Sequence, residues 1–136
     1  MFQKFRGRVL IADDDPVMRK ILTSIVNHEQ YEAVQARDGR EAFRVLTSDA
    51  NFKGALFDLK MPGLTGLDLV GHMKTEKRLQ RIPVMIITAE TEMKIVSEIF
   101  RAGAVAYLPK PFSRDQVARA IRMLLHTSHK RVLAAA

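Results

Sequence analysis

Five times along this chain a short run rich in β-branched and other apolar residues gives way to a longer stretch in which apolar residues recur at helical spacing. No other feature restricts the fold as much. The short runs are RVLIA at 8–12, YEAVQ at 31–35, GALFD at 54–58, PVMIIT at 83–88 and VAYLP at 105–109. The helical patterns that follow them are carried by Met18, Ile21, Leu22, Ile25 and Val26; by Ala42, Val45 and Leu46; by Leu67, Val70 and Met73; by Ile95, Val96, Ile99 and Phe100; and by Val117, Ile121, Leu124 and Leu125. Helix ends are marked as well. Asp15 is a good N-cap and Pro16 suits the first helical position. Asp38 with Glu41, and Ser113 with Gln116, have capping-box spacing, and Thr65 with Asp68 caps the third helix. Gly103 stops the fourth. PVMIIT is apolar without alternation, as a strand covered on both faces should be. Alternation of strands and helices predicts a doubly wound α/β fold around a parallel sheet. One domain is expected over residues 1–126, with a disordered basic tail over 127–136.

The 136 residues include 47% hydrophobic ones, enough for a real core. The absence of cysteine excludes disulfides and thiolate metal sites and fits a reducing compartment. No stretch approaches the roughly 18–20 unbroken apolar residues of a membrane span, and MFQKFRGR does not read as a signal peptide. The expectation is therefore a cytoplasmic protein. Lys and Arg number 22 against 15 Asp and Glu, a net +7, concentrated at Lys4, Arg6 and Arg8 and from Lys110 onward. Such a balance suits an acidic partner or nucleic acid. The aromatic residues are few and not interleaved with the basic ones, as single-strand binding would want. No DNA-binding module is expected after Leu125.

In open parallel sheets ligands gather in the crevice outside the carboxyl ends of the strands. At those ends stand Asp13 and Asp14 after the first run, Asp58 at the end of the third, Thr88 at the end of the fourth, and Lys110 between Pro109 and Pro111 after the fifth. Any one of them alone would be an ordinary loop or strand residue, and Asp15 keeps that reading as a cap. Three carboxylates, one hydroxyl and one ammonium on one edge make a different case. Hard divalent cations take oxygen ligands. The three acids sum to −3 and Lys110 brings this to −2, which one Mg²⁺ neutralises. Without a cation the acids repel, and at least one carboxyl pKa should rise.

With these residues in place, VLIADDDPVMRK, DGREAF, ALFDLKMPGLTGLDL, PVMIITA and AGAVAYLPKPF together resemble the receiver domain of two-component response regulators, of the single-domain chemotaxis-regulator type, from about residue 8 to about residue 126. The resemblance implies a flavodoxin-like fold with strand order 2-1-3-4-5. It implies a Mg²⁺-dependent phosphoryl-accepting switch rather than an enzyme: Asp58 as phosphoacceptor; Asp13 and Asp14 holding Mg²⁺ with Asp58 and the backbone carbonyl of Lys60; Lys110 pairing with a phosphoryl oxygen; Thr88 as switch hydroxyl beside Ala89; and Tyr107 as aromatic switch. Met61, Pro62 and Gly66 resemble the loop that shapes the site, and Lys110–Pro111 is expected to be cis.

The implied phosphodonor is a sensor histidine kinase or histidine phosphotransfer protein. The implied output surface is the fourth helix, fifth strand and fifth helix, which also offers a route to weak dimerisation. Arg114, Arg119 and Arg122 suggest an acidic output partner. Lys60 and Glu90, two residues past Asp58 and Thr88, are expected to tune the lifetime of the phosphoryl group. Two further readings fit less well. A haloacid-dehalogenase-like phosphatase wants an acid two residues after its nucleophile, where this chain has Lys60. A pseudo-receiver would lack one of the acids, the threonine or the lysine, and none is missing.

Overall fold

The computed structural model describes residues 4–126; the expected tail over 127–136 lies outside the described residues. Among these, strands β1 (Arg8–Ala12), β2 (Glu32–Ala36), β3 (Gly54–Asp58), β4 (Val84–Thr88) and β5 (Ala106–Pro109) alternate with helices α1 (Pro16–His28), α2 (Gly39–Ser48), α3 (Gly66–Lys74), α4 (Met93–Ala102) and α5 (Arg114–His126). The strands form one parallel sheet in the order β2-β1-β3-β4-β5.

The apolar runs are continuous because the pleat divides each of them between two cores. Leu10 and Ala12, Ala55 and Phe57, and Val84 and Ile86 face Leu46 of α2, Leu69, Val70 and Met73 of α3, and Ile99 of α4. Their neighbours Val9 and Ile11, Leu56, and Met85 and Ile87 face Leu22, Ile25 and Val26 of α1 and Val117, Ile121 and Leu124 of α5. Every residue of β3 and β4 is buried. The edge strand β2 is not, since Glu32 and Gln35 are exposed, which explains why its sequence signal is weak and its observed span lies one residue later than expected.

Three helix starts follow the expected capping. The Asp15 carboxylate accepts from the Val17 N–H. Thr65 and Asp68 close a reciprocal box at 3.1 and 2.9 Å, and Ser113 and Gln116 do the same at 3.1 and 2.8 Å. The start of α2 differs. Asp38 accepts from the Glu41 N–H, but the Glu41 carboxylate reaches past the cap to the Arg37 N–H at 2.6 Å. Arg37 also brings its guanidinium to the same oxygen, so Glu41 gains a charged partner one residue upstream of the cap.

Because β1 lies between β2 and β3, its connection leads to α1 on one face of the sheet, while β3 leads to α3 on the other. The crevice opens where these connections diverge. Gly66 lets α3 begin close to that point. Its N–H donates to the Leu59 carbonyl at 3.0 Å, and a Cβ there would lie 2.5 Å from the Asp58 carbonyl oxygen. A backbone oxygen cannot be displaced cheaply. Gly66→Ala should therefore cost roughly 1–3 kcal/mol of stability by overpacking, read as a lower denaturation midpoint with an unchanged denaturant slope.

Candidate functional site

The strand register assembles the site. Ala12 pairs with Phe57 and Asp58 with Ile87, so the chain after β1 emerges beside the end of β3. Thr88 pairs with Pro109, which sets Lys110 next in line, and the Lys110 N–H donates to the Thr88 carbonyl at 2.8 Å. The Lys110–Pro111 bond is cis, as expected. Each expected site residue except Asp14, Lys60, Pro62 and Ala89 is buried or half-buried: Asp13 is 1% exposed, Thr88 3% and Asp58 8%.

Asp13, Asp14 and Asp58 each present a carboxylate oxygen within 4.8 Å of the others. The Lys110 ammonium donates to Asp58 Oδ1 at 2.9 Å. Asp13 Oδ1 accepts from the Asp15 N–H at 2.9 Å, whereas Asp13 Oδ2 is buried and meets no hydrogen-bond donor among the described residues. A buried anionic oxygen without a donor is costly. One placed among two further carboxylates is arranged for a cation, and the all-oxygen donor set suits a hard one.

Electrostatics agree with this geometry. Burial pushes the Asp13 carboxyl up to about 6, against the Asp15 N–H and with the help of Asp58. Burial also raises Asp58, and here desolvation outweighs the opposing pull of the Lys110 ammonium. The expected direction of shift holds at both buried members of the cluster, but burial, not repulsion among the acids, is its main cause.

Around this centre, Thr88 Oγ1 accepts from the Glu90 N–H at 3.0 Å, which leaves its own hydrogen for an acceptor in the cleft. Tyr107 is half-buried and packs edge-on against Phe100 of α4 at 6.1 Å. The Lys60 ammonium, on the β3–α3 loop, meets the Glu90 carboxylate on the β4–α4 loop at 2.6 Å. The two residues expected to tune the site are therefore joined across its mouth, and Glu90 raises the Lys60 pKa.

Two features escaped sequence reasoning. Arg19 donates to the Asp13 backbone carbonyl at 2.7 Å and so steadies the acidic loop from one turn into α1. Met18 and Ile21 of α1, with Pro111 and Phe112, form an apolar flank beside Lys110, and Val17 lines an adjoining hollow that shares Ile21; Val17 is 66% exposed although apolar. The signal for it was present, since Val17 falls outside the buried stripe of α1. The arginines proposed for an acidic partner divide. Arg122 pairs with Glu29 at 2.9 Å, and Arg114 reaches Ser24 at 3.4 Å, so both turn toward α1, while Arg119 is exposed and has no ion-pair partner among the described residues.

Comparison with known proteins places this geometry. The family model described as the response regulator receiver domain matches residues 9–122, and the chain belongs to that family. It is 32% identical to chemotaxis protein CheY1 of Helicobacter pylori over 122 residues, covering 89% of this chain and 98% of that protein. It is 31% identical to sporulation initiation phosphotransferase F of Bacillus subtilis over 118 residues, 87% of this chain and 93% of that one. The solved structure of chemotaxis response regulator CheY4 of Vibrio cholerae superposes with a TM-score of 0.82 at 27% identity, covering 88% of this chain and 98% of that one. The protein is a CheY-like receiver domain of a two-component system, with an acidic cluster that could bind a metal. No described helix is long and apolar enough to cross a membrane.

The raised Asp13 pKa has a sign that can be measured. The unfolded carboxyl ionises near 3.8 and the folded one near 6. Between these values the folded chain holds a proton that the unfolded chain has lost, so this group makes stability fall as pH rises from about 4 through about 6. Glu41 and Asp49, lowered by their hydrogen bonds from 4.5 and 3.8, contribute stability that is lost as pH falls through the lower end of that window and below it. Without divalent cations, Asp13→Asn should flatten the decline and be more stable than the parent at pH 7, by on the order of 2 kcal/mol. Chemical denaturation at several pH values in chelator measures both.

Proposed function

We propose that this receiver is a phosphorylation switch in which Asp58 accepts a phosphoryl group from a sensor histidine kinase or histidine phosphotransfer protein. The observation that carries the reading is the Lys110–Asp58 contact at 2.9 Å beside the donorless oxygen of Asp13. A carboxylate held by an ammonium on one side, with a cation-seeking acid pair on the other, is suited to transfer of a charged group. In the proposed step an Asp58 carboxylate oxygen attacks phosphorus, the nitrogen–phosphorus bond of the donor's phosphohistidine breaks, and the imidazole leaves. Phosphoryl transfer depends on positioning and on neutralising spread charge, and the Lys110 ammonium is in place for both.

Asp13, Asp14, Asp58 and the backbone carbonyl of Lys60 would hold Mg²⁺. The bound ion would supply charge neutralisation at the phosphoryl oxygens. The new group adds roughly −1.5 to −2 of charge. Thr88, whose hydroxyl hydrogen is uncommitted, is suited to donate to it, and Tyr107 against Phe100 is suited to pass the change to α4, β5 and α5. That face is the proposed output and weak dimerisation surface, and Arg119 favours an acidic partner. We place the protein in the cytoplasm with its donors.

The apolar flank gives the donor a place to lie. A histidine brought to Asp58 arrives with the backbone around it; Ile21 and Phe112 line a cavity of about 310 Å³ with Lys110, and exposed Val17 lines a second hollow that shares Ile21. Ile21→Asp is expected to slow transfer from a phosphorylated histidine phosphotransfer domain at least several-fold and to leave labelling by acetyl phosphate unchanged. Equal slowing with both donors would show that the variant had damaged the site itself.

Labelling by acetyl phosphate with Mg²⁺ should add one phosphoryl mass to the parent and none to Asp58→Asn. A mass shift that survives in Asp58→Asn would sink the assignment. Millimolar Mg²⁺ should raise the melting temperature of the parent, because it relieves repulsion among the three acids. The Lys60 side chain, exposed and paired with half-buried Glu90, would stand in the line along which water attacks phosphorus opposite Asp58. Lys60→Asn should therefore speed loss of the phosphoryl group several-fold, while Lys60→Arg leaves it slow; hydrolysis rates of the purified phosphoprotein decide between occlusion and indifference.

A further inference from the structure

Away from the acidic edge, at the amino-terminal ends of the strands, lies a cavity of about 560 Å³ between the segment before β4 and the end of α5. Its apolar wall includes Ile82, Pro83, Val105 and Leu124, and Lys53, Lys74 and Arg81 line it together with Gln80 and, among the described residues, no carboxylate. None of the three cations has an ion-pair partner among the described residues. Some cations elsewhere are committed to acids, as Arg8 is to Asp49, Arg78 to Glu76 and Arg122 to Glu29; what sets these three apart is that they line one cavity.

Two glycines bed these lysines. Gly7 has φ 151° and Gly103 φ 122°. A Cβ at Gly7 would lie 2.4 Å from Lys53 Cγ, and one at Gly103 would lie 2.6 Å from Lys74 Cε. Each lysine stem thus lies flat against bare backbone. Lys74 is fixed further, since its ammonium donates to the Gln80 carbonyl at 3.3 Å while the Gln80 amide donates to the Lys74 carbonyl at 2.9 Å. Charges held in this way lose little side-chain freedom on binding. A cation at the end of α3 is favoured by the helix dipole, but Lys53 and Arg81 precede strands and have no such reason to be there.

The geometry points to a second binding site at this edge for an acidic peptide segment, with an aliphatic side chain in the cavity and carboxylates on Lys53, Lys74 and Arg81. The apolar wall asks for a side chain rather than a bare anion. Among the described residues no aromatic ring lines the cavity for base stacking, and the cations line a hollow rather than a protruding face, which suits a peptide better than a bilayer.

The probe is a fluorescein-labelled heptapeptide with leucine between two pairs of glutamates, titrated into the full chain at low salt and followed by anisotropy. Saturable binding should weaken about tenfold in Lys53→Glu/Arg81→Glu and also when serine replaces the peptide's leucine. Asp58→Asn should bind like the parent, which separates this site from the proposed phosphoacceptor. Both lysine and arginine are exposed, and an unchanged melting temperature of the double variant shows that the fold survives. The proposal is overturned if the double variant binds the peptide as the parent does. It is equally overturned if vesicles of phosphatidylcholine with phosphatidylglycerol, or a duplex oligonucleotide, bind more tightly than the peptide and lose that binding in the same variant.

Discussion

Everything at the acidic edge depends on burying two carboxylates where desolvation opposes their charge. Asp13 and Asp58 stand at the ends of strands whose other residues are almost wholly apolar, so the sheet that gives the domain its core also strips water from its acids. The chain answers with three devices. Lys110 neutralises Asp58, the Asp15 N–H serves one oxygen of Asp13, and Arg19 holds the loop by its backbone. None reaches Asp13 Oδ2. Stability is thereby withheld at the one atom where a cation would restore it, and the fold and its proposed loading are thermodynamically linked.

The fold was legible because its two strongest signals do not compete. β3 and β4 are covered on both faces and read as unbroken apolar runs, and helix caps at Asp15, Thr65 and Ser113 are local chemistry that tertiary structure leaves alone. At Asp38 a local signal was overridden, since Glu41 found in Arg37 a partner that also carries charge. The candidate site was legible for a topological reason: a parallel sheet sends every strand end to one edge, so listing those ends brings Asp13, Asp58, Thr88 and Lys110 together without knowledge of distance.

Long-range pairings of exposed side chains were not legible. Lys60 meets Glu90 across 30 positions of sequence, and Arg122 meets Glu29 across 93. Nothing in the spacing of such residues says which of several acids a long side chain will choose, because the choice depends on how the loops and helices pack. The same limit explains the basic cavity. Lys53, Lys74 and Arg81 are scattered in sequence and meet only because the start of β3, the end of α3 and the start of β4 adjoin at one edge.

The Lys60–Glu90 pair links the loop after β3 to the loop after β4, the loops that carry Asp58 and Thr88. Glu90 also donates its backbone N–H to the Thr88 hydroxyl, so one residue touches both the proposed switch hydroxyl and the lysine over the mouth. An exposed ion pair is weak and easily exchanged. A phosphoryl group on Asp58 would put about two negative charges within the domain of Lys60, against the single charge of Glu90. If Lys60 follows the larger charge, Glu90 is released at the same time as Thr88 is drawn toward the phosphoryl oxygens. If Lys60 stays, it holds the β4–α4 loop in its present place and resists the movement of Thr88. The first course couples protection of the phosphoryl group to the switch, while the second sets them against each other. The charge difference favours the first, because both partners sit at the solvent edge, where Lys60 can change acceptors without exposing a buried charge.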